Sequence, residues 1–485
     1  MSVHVPPRRL AGLAVLVLLL AAAATLRAAE AEPSETWFSV HLEGRKIGHL
    51  HQTRSQAGEE IVHEETLRLE LARDGQTLRI GSTERTVESI DGRPLAFRSH
   101  TDTAGSVGLI EGEIRDGVAM VTIDHSGRRL SQRIDWPADA LFGDAQARRD
   151  QRHGLTAGTR YRHADFDLGG LRMLAVDVEV IGPQSVDIHG SERALIAVDR
   201  RFDAGDGQPM RIRSWVDPAD RSVQRMQLML LGMSLDLMAC ERACAQAPNQ
   251  SADVLVATST PSPRRLSQRD RQRPLRYRLA MRDGDLPRLP ALPGQSVQAQ
   301  GEWLELRIDP RGGIDRLPKP EDTAATRWLE SDAAELRELA RRLIDDAVSA
   351  EERMRALESG VRRHLAVKSL RIGYASALDA ARLGEGDCTE HALLLAALAR
   401  AEGIPARVAT GLAYASAYAG QQQVFVPHAW VYAFIDGRWQ GFDAALPAFG
   451  AGHLALDVGD GDPFRFYAGV ELLGRLRIDG IRAAR

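Results

Sequence analysis

Cys388 follows Gly384-Glu385-Gly386-Asp387 and precedes Thr389-Glu390-His391. The two glycines end whatever lies before them. Asp387 and Glu390 have the spacing of an N-cap and its N3 partner. The apolar run Ala392 to Ala399 continues a helix, which Gly403 and Pro405 stop. Cys388 is therefore expected at the first helical position. Unpaired N–H groups and the positive end of the helix dipole there favour a thiolate and can stabilise an oxyanion. Asp387 works against the thiolate, so the chemistry needs an imidazole.

His428 supplies one. Val424 to Ile435 reads as a strand, Asp436-Gly437 as a two-residue hairpin turn, and Arg438 to Asp443 as the returning strand. With that turn Ile435 faces Arg438, and counting back sets Trp430 opposite Asp443. His428 is two residues from Trp430 and so shares its face of the sheet. His428 and Asp443 are then diagonal neighbours within side-chain reach. A slip of one residue would part them. A thiol on a helix start, a base on a strand and a carboxylate to orient the base make a catalytic triad in which His428 takes the thiol proton and returns it to a leaving amine.

At these residues the sequence resembles the transglutaminase-like superfamily. The matching pieces are Gly386-Asp387-Cys388-Thr389-Glu390-His391, Gly403-Ile404-Pro405-Ala406-Arg407, Gly411, His428-Ala429-Trp430, and Gly437-Arg438-Trp439 ahead of Asp443. The likeness is densest over 384–447 and extends over 325–485. Each piece alone is weak, but the combination is specific. The resemblance implies a papain-like α+β core with the cysteine on a helix and the histidine and aspartate on an antiparallel sheet. It implies thiol acyl transfer on an amide: cross-linking, deamidation or hydrolysis. One departure is Ala444, where the family often has proline. Another is the loosely matched stretch Gly450 to Gly459.

These residues need a scaffold. From about residue 330 the apolar period becomes helical. Asp332 with Glu335, and Ser349 with Glu352, have capping-box spacing. The first would open a helix running through Ala347. Met354, Leu357, Val361 and Leu365 form a core stripe. Before residue 250 the pattern is β-rich. Asp74-Gly75, Asp91-Gly92, Asp116-Gly117 and Asp206-Gly207 are hairpin signals between alternating segments. Met226 to Met238 reads as one late apolar strand. Residues 245–275 are linker-like, with loop chemistry at Ser259-Thr260-Pro261-Ser262-Pro263 and an arginine-rich run from Arg264 to Arg278. Tyr277 to Ile308 shows short strands separated by prolines.

Arg8 and Arg9 precede the apolar run Leu10 to Leu26, and Ala29-Glu30-Ala31 offers a cleavage site. This is the layout of a secretory signal peptide, with an uncleaved membrane anchor as the alternative. Of three cysteines, Cys240 and Cys244 are close in sequence and would most simply form a local disulfide after export. A zinc site there would need further ligands, and no Cys or His pair is near in sequence. His391 reads as a structural helix residue, Trp430 and Trp439 as packing, and Gln421, Gln422 and Gln423 as a polar loop rather than an oxyanion donor.

The 485 residues carry a formal net charge of −4, with 44% hydrophobic and 26% charged residues. That is globular composition with no global pull towards nucleic acid. The expected class is α+β: a signal peptide over 1–31, an all-β domain of curved antiparallel sheet over 33–250, a linker and small β segment over 251–320, and a transglutaminase-like domain over 325–485. The expected function is a periplasmic or secreted thiol enzyme acting on amide or isopeptide bonds of protein or peptide substrates through Cys388, His428 and Asp443. It would use neither metal nor cofactor and would touch a membrane only if the N-terminal segment is uncleaved. The alternative is a non-catalytic binding or scaffold protein whose N-terminal β domain holds a peptide, glycan or lipid.

Overall fold

A computed structural model describes residues 33–484 apart from 74–75, 104–105, 126–127, 169–170, 204–208, 231–232, 251–257, 283–285, 288, 346, 368–374, 462–471 and 473. The N-terminal apolar run and the pairs Asp74-Gly75 and Asp206-Gly207 lie outside these residues. Among the described residues, no helix is long and apolar enough to cross a membrane. The chain divides into two compact units: residues 1–72 with 77–252, and residues 73–76 with 253–485.

The first unit is a fourteen-stranded antiparallel sheet built from two meanders. Eight strands run outwards from Ser34–Leu42 to Arg128–Asp135, and six return from Arg160–Asp167 to Met233–Cys240. The meanders join where Ser34–Leu42 pairs with Met233–Cys240, Trp37 opposite Cys240. Asp116 (φ 51°) and Gly117 (φ 72°) make the tight turn their types allow. Helix Gly143–His153 is tied to the sheet by Asp144, which accepts from Arg54 Nη2 at 2.7 Å and approaches His63 Nε2 at 2.9 Å. The single strand expected over Met226 to Met238 is instead a hairpin, Val223–Leu230 against Met233–Cys240, with Leu228 opposite Leu235. Apolar residues run on from Leu228 to Leu230 and resume at Met233, so hydropathy alone does not mark the break between the arms.

The second unit has mixed architecture, and the whole chain is α+β. The helices that matter for the site are α1 (Ala350–His364) and α2 (Cys388–Ala401). The strands are β1 (Ala406–Tyr418), β2 (Gln421–Ile435), β3 (Arg438–Phe442) and β4 (His453–Gly459). Their order places β2 between β1 and β3, with β4 on the far side of β1. Helix α2 is buried from Thr389 to Arg400. A helix apolar on all sides must be covered on all sides. Its leucines and alanines share one core with Met354, Leu357 and Val361 of α1, with Leu336 and Leu339, and with Ala429, Val431 and Ala433 of β2. The alternate residues Trp430 and Tyr432 pack in another cluster, with Trp439 and Ala455. The strand period thus separates two cores across one sheet.

Two local expectations are corrected. The helix before α1 spans Ala334–Ile344, and its N-cap is Ala333 without a side-chain cap, so Asp332 and Glu335 form no capping box. Ser349 and Glu352 do form theirs. The stretch read as linker carries two short elements, strand Thr260–Pro261 and helix Gln268–Arg271, and the short strands expected after it are present. Thr260–Pro261 pairs with Phe425 and Val424 of β2. Strands Leu275–Met281, Gln295–Gln300 and Trp303–Ile308 form a four-stranded sheet completed by Leu476–Ala483 from the chain's end. A partner about 200 residues away is invisible to local pattern. Gly313 then bridges to Trp439, and Asp315 pairs bidentately with Arg407 at 2.8 Å.

Candidate active site

The local structure at Cys388 follows from its neighbours. Asp387 Oδ1 accepts from the Thr389 N–H at 2.6 Å, and Glu390 Oε2 accepts from the Asp387 N–H at 2.9 Å, completing a reciprocal capping box. Gly384, at φ 66°, ends the preceding helix in the left-handed conformation. Cys388 is the first residue of α2, partly exposed and a free thiol. Glu390 is fully buried. Burial, and then the Asp387 charge, push its carboxyl well above the usual range. Its Oε1 accepts from the Ala375 N–H at 3.0 Å. His391 Nδ1 contacts the Asp387 carbonyl at 2.6 Å, inside the helix.

The hairpin count holds. Asp436 (φ 50°) and Gly437 (φ 75°) make the turn, Ile435 faces Arg438, and Val431 faces Phe442. One further step sets Asp443 beside Trp430. On that edge of β2, Thr260–Pro261 covers 424–425 and β3 covers 431–435. Among the described residues no strand covers 426–430, the interval that holds His428.

His428 Nε2 meets Asp443 Oδ2 at 2.8 Å, and both side chains are buried. The Cys388 thiol lies near enough to the same imidazole to raise its basicity. With Nε2 on the carboxylate, Nδ1 is the nitrogen left for sulfur. Burial lowers the basicity of His428, but Asp443, and after it Cys388, outweigh burial and raise it to about 10. Burial likewise works to raise the Asp443 carboxyl. His428 and then His453 outweigh it and hold the group well below the usual carboxylate range.

His453 was not anticipated. At the head of β4, its Nε2 reaches the same Asp443 Oδ2 at 2.9 Å. Its Nδ1 lies 3.2 Å from the Gly450 N–H and 3.1 Å from the Gly450 carbonyl, while Nε2–H donates to the carboxylate. Asp443 Oδ1 is also occupied, accepting from the Ala445 N–H at 2.8 Å and the Leu446 N–H at 2.9 Å. Two residues of α1 were missed as well. Glu358 accepts from the Asp443 N–H at 2.8 Å. Arg362 donates to the carbonyls of Asp443 (2.8 Å), Ala444 (3.2 Å) and Leu446 (2.7 Å). The one sequence signal for His453 was its setting after Gly450-Ala451-Gly452. Glu358 and Arg362 had none, because they lie on the flank of a helix read only for its apolar stripe.

Ligand atoms of His428, Asp443 and His453 all lie within 4.8 Å of one another, which is a possible metal constellation. Asp443 Oδ2 bonds both imidazoles directly, so an ion would have to replace two hydrogen bonds. Gln421, at the start of β2, accepts from Ser259 at 2.7 Å. Trp430 and Trp439 are fully buried packing residues.

No curated protein matches this chain. Among solved structures, a candidate cysteine protease from Cytophaga hutchinsonii is 16% identical, with 44% of this chain and 85% of that one covered and a TM-score of 0.27. A hypothetical lipoprotein, YmcC from Escherichia coli, is 13% identical over 44% and 89%, with a TM-score of 0.20. A candidate protease from Parabacteroides distasonis is 12% identical over 74% and 69%, with a TM-score of 0.21. Scores this low carry no argument about fold or activity. The model of the transglutaminase-like superfamily matches residues 337–444, a span that holds Cys388, His428 and Asp443. The matched span makes the C-terminal domain of this chain transglutaminase-like.

Proposed function

We propose that this protein is an exported thiol enzyme that transfers acyl groups from amide or isopeptide bonds of protein or peptide substrates. The observation that carries this reading is the Asp443–His428 hydrogen bond beside Cys388, with the sulfur at a helix N-terminus. The Cys388 sulfur attacks the amide carbonyl carbon, and its proton passes to His428. His428 delivers that proton to the leaving amine as the carbon–nitrogen bond breaks, leaving a thioester on Cys388. Water or a second amine then attacks the thioester and releases the thiol. N–H groups at the start of α2 are the donors for the transient oxyanion. Asp443, held on both oxygens, keeps the imidazole oriented through both steps. The arginine pair and the apolar run of residues 8–26 support export.

The test is capture with an electrophilic peptide probe, followed by peptide mapping. Labelling should fall on Cys388 and should disappear in Cys388→Ala. His428→Ala should slow it by about a hundredfold, the usual worth of a positioned acid–base group. Equal labelling of Cys240, or indifference to His428, would refute the triad.

A further inference from the structure

Outside the candidate active site, and within the unit of residues 33–252, three soft or borderline ligands converge. Cys240 is the last residue of strand Met233–Cys240, and Cys244 lies one turn on, in the short helix Arg242–Ala245. They are free thiols with sulfurs within 4.8 Å of each other, not the local disulfide expected from their spacing. The third ligand is His189, at the tip of the hairpin joining Arg172–Ile188 to Ser191–Asp203. Its Nε2 is 3.8 Å from Cys244 Sγ, and all three ligand atoms lie within 4.8 Å of one another. Strand Ser191–Asp203 is three positions from Met233–Cys240 in the sheet, about 14 Å if the sheet were flat. Only a strongly curved sheet brings that tip to the cysteines.

We propose that Cys240, Cys244 and His189 form a three-coordinate site for copper(I). Metal bonds of about 2.3 Å to sulfur and 2.0–2.1 Å to nitrogen, spread trigonally, set S and N about 3.8 Å apart. The Cys244–His189 pair already has that separation. Two thiolates and an imidazole suit a soft ion in three-fold coordination, whereas zinc would add a water to complete a tetrahedron. His41, whose ring centroid is 6.3 Å from that of His189, holds Ser39 Oγ at 2.9 Å instead. Charge points the same way. Lys46 is within electrostatic reach of both sulfurs and is held by the Ala247 carbonyl at 2.7 Å and Asn249 Oδ1 at 3.0 Å. Copper(I) with two thiolates is a monoanion that this ammonium neutralises. Zinc(II) with two thiolates is neutral and leaves the ammonium only Glu70 as a counter-charge. Binding displaces two protons, one from each thiol, and changes no oxidation state. Partial exposure of both cysteines leaves the site open to loading from solution.

The test uses the full-length protein reduced under anaerobic conditions, with Cys388→Ala to remove the third thiol. Copper(I) is supplied from a chromophoric chelator. We expect one equivalent to leave the chelator. Outer-shell partners alone are worth 10–100-fold in affinity, so Cys240→Ser and Cys244→Ser should each weaken binding by about a hundredfold or more, and His189→Gln by about tenfold. X-ray absorption of the loaded protein should show two sulfurs and one nitrogen, a readout that does not depend on how the variants fold. Failure to take up copper(I), uptake indifferent to either cysteine, or a sulfur-free shell would each overturn the site. Preference for zinc(II) in the same competition would overturn the choice of ion.

Discussion

Asp443 is the most constrained residue of the candidate site. Its four acceptor positions are filled by two imidazoles and two backbone N–H groups. The pair it makes with His428 has a definite pH signature. His428 is raised from 6.5 to about 10, so its contribution to stability is complete below about pH 6.5, erodes as pH rises, and is gone above about 10. The difference in melting temperature between wild type and His428→Gln should therefore shrink steadily from pH 6 to pH 10. A constant difference would contradict the shift. His453 positions the carboxylate without reaching the sulfur itself. A hydrogen bond to a charged group is worth about 1.5–3 kcal/mol, so His453→Ala should lower kcat about tenfold or more with KM little changed. His453→Gln, which keeps an N–H donor, should recover part of the loss.

At the scale of elements, the two ends of α1 differ in consequence. Ser349 caps α1, far along the helix from the 443–446 turn, while Arg362 near its other end grips three carbonyls of that turn. Ser349→Ala should cost about 1 kcal/mol of stability and leave turnover intact. Arg362→Ala should also reduce kcat, because the turn that delivers Asp443 loses its brace. Denaturant melts paired with steady-state kinetics separate the two outcomes, and equal loss of kcat in both variants would remove any special role for Arg362. Ala444, in place of the family's frequent proline, sits inside that turn and presents its carbonyl to Arg362. The register of β2 on β3 was open to counting because Asp436-Gly437 permits one tight turn, and a period of two then dictates which side chains share a face. Register between β1 and β4 was not, because the connection between β3 and β4 has no such turn, and His453 entered the site unannounced.

At the scale of the molecule, the chain holds two compact units, and the second, residues 73–76 with 253–485, contains every residue of the candidate site. A protein starting at residue 253 should fold cooperatively and retain Cys388 labelling by the peptide probe. A truncated chain with a native-like melt but no labelling would show that the first unit contributes to the site. Sequence alone determined what local rules govern: the capped start of α2, its glycine–proline stop, the β2–β3 hairpin, and through them the placing of Cys388, His428 and Asp443 and the transglutaminase-like match over 337–444. Only the tertiary structure decided what distant segments bring. Those are His453 as a second donor to Asp443, the α1 brace, the last strand completing a sheet begun 200 residues earlier, and His189 beside Cys240 and Cys244. The reason is physical. Caps, turns and the strand period act over a few residues and leave their chemistry in the chain, whereas sheet curvature and core packing depend on many weak contacts summed over the fold and mark no single position.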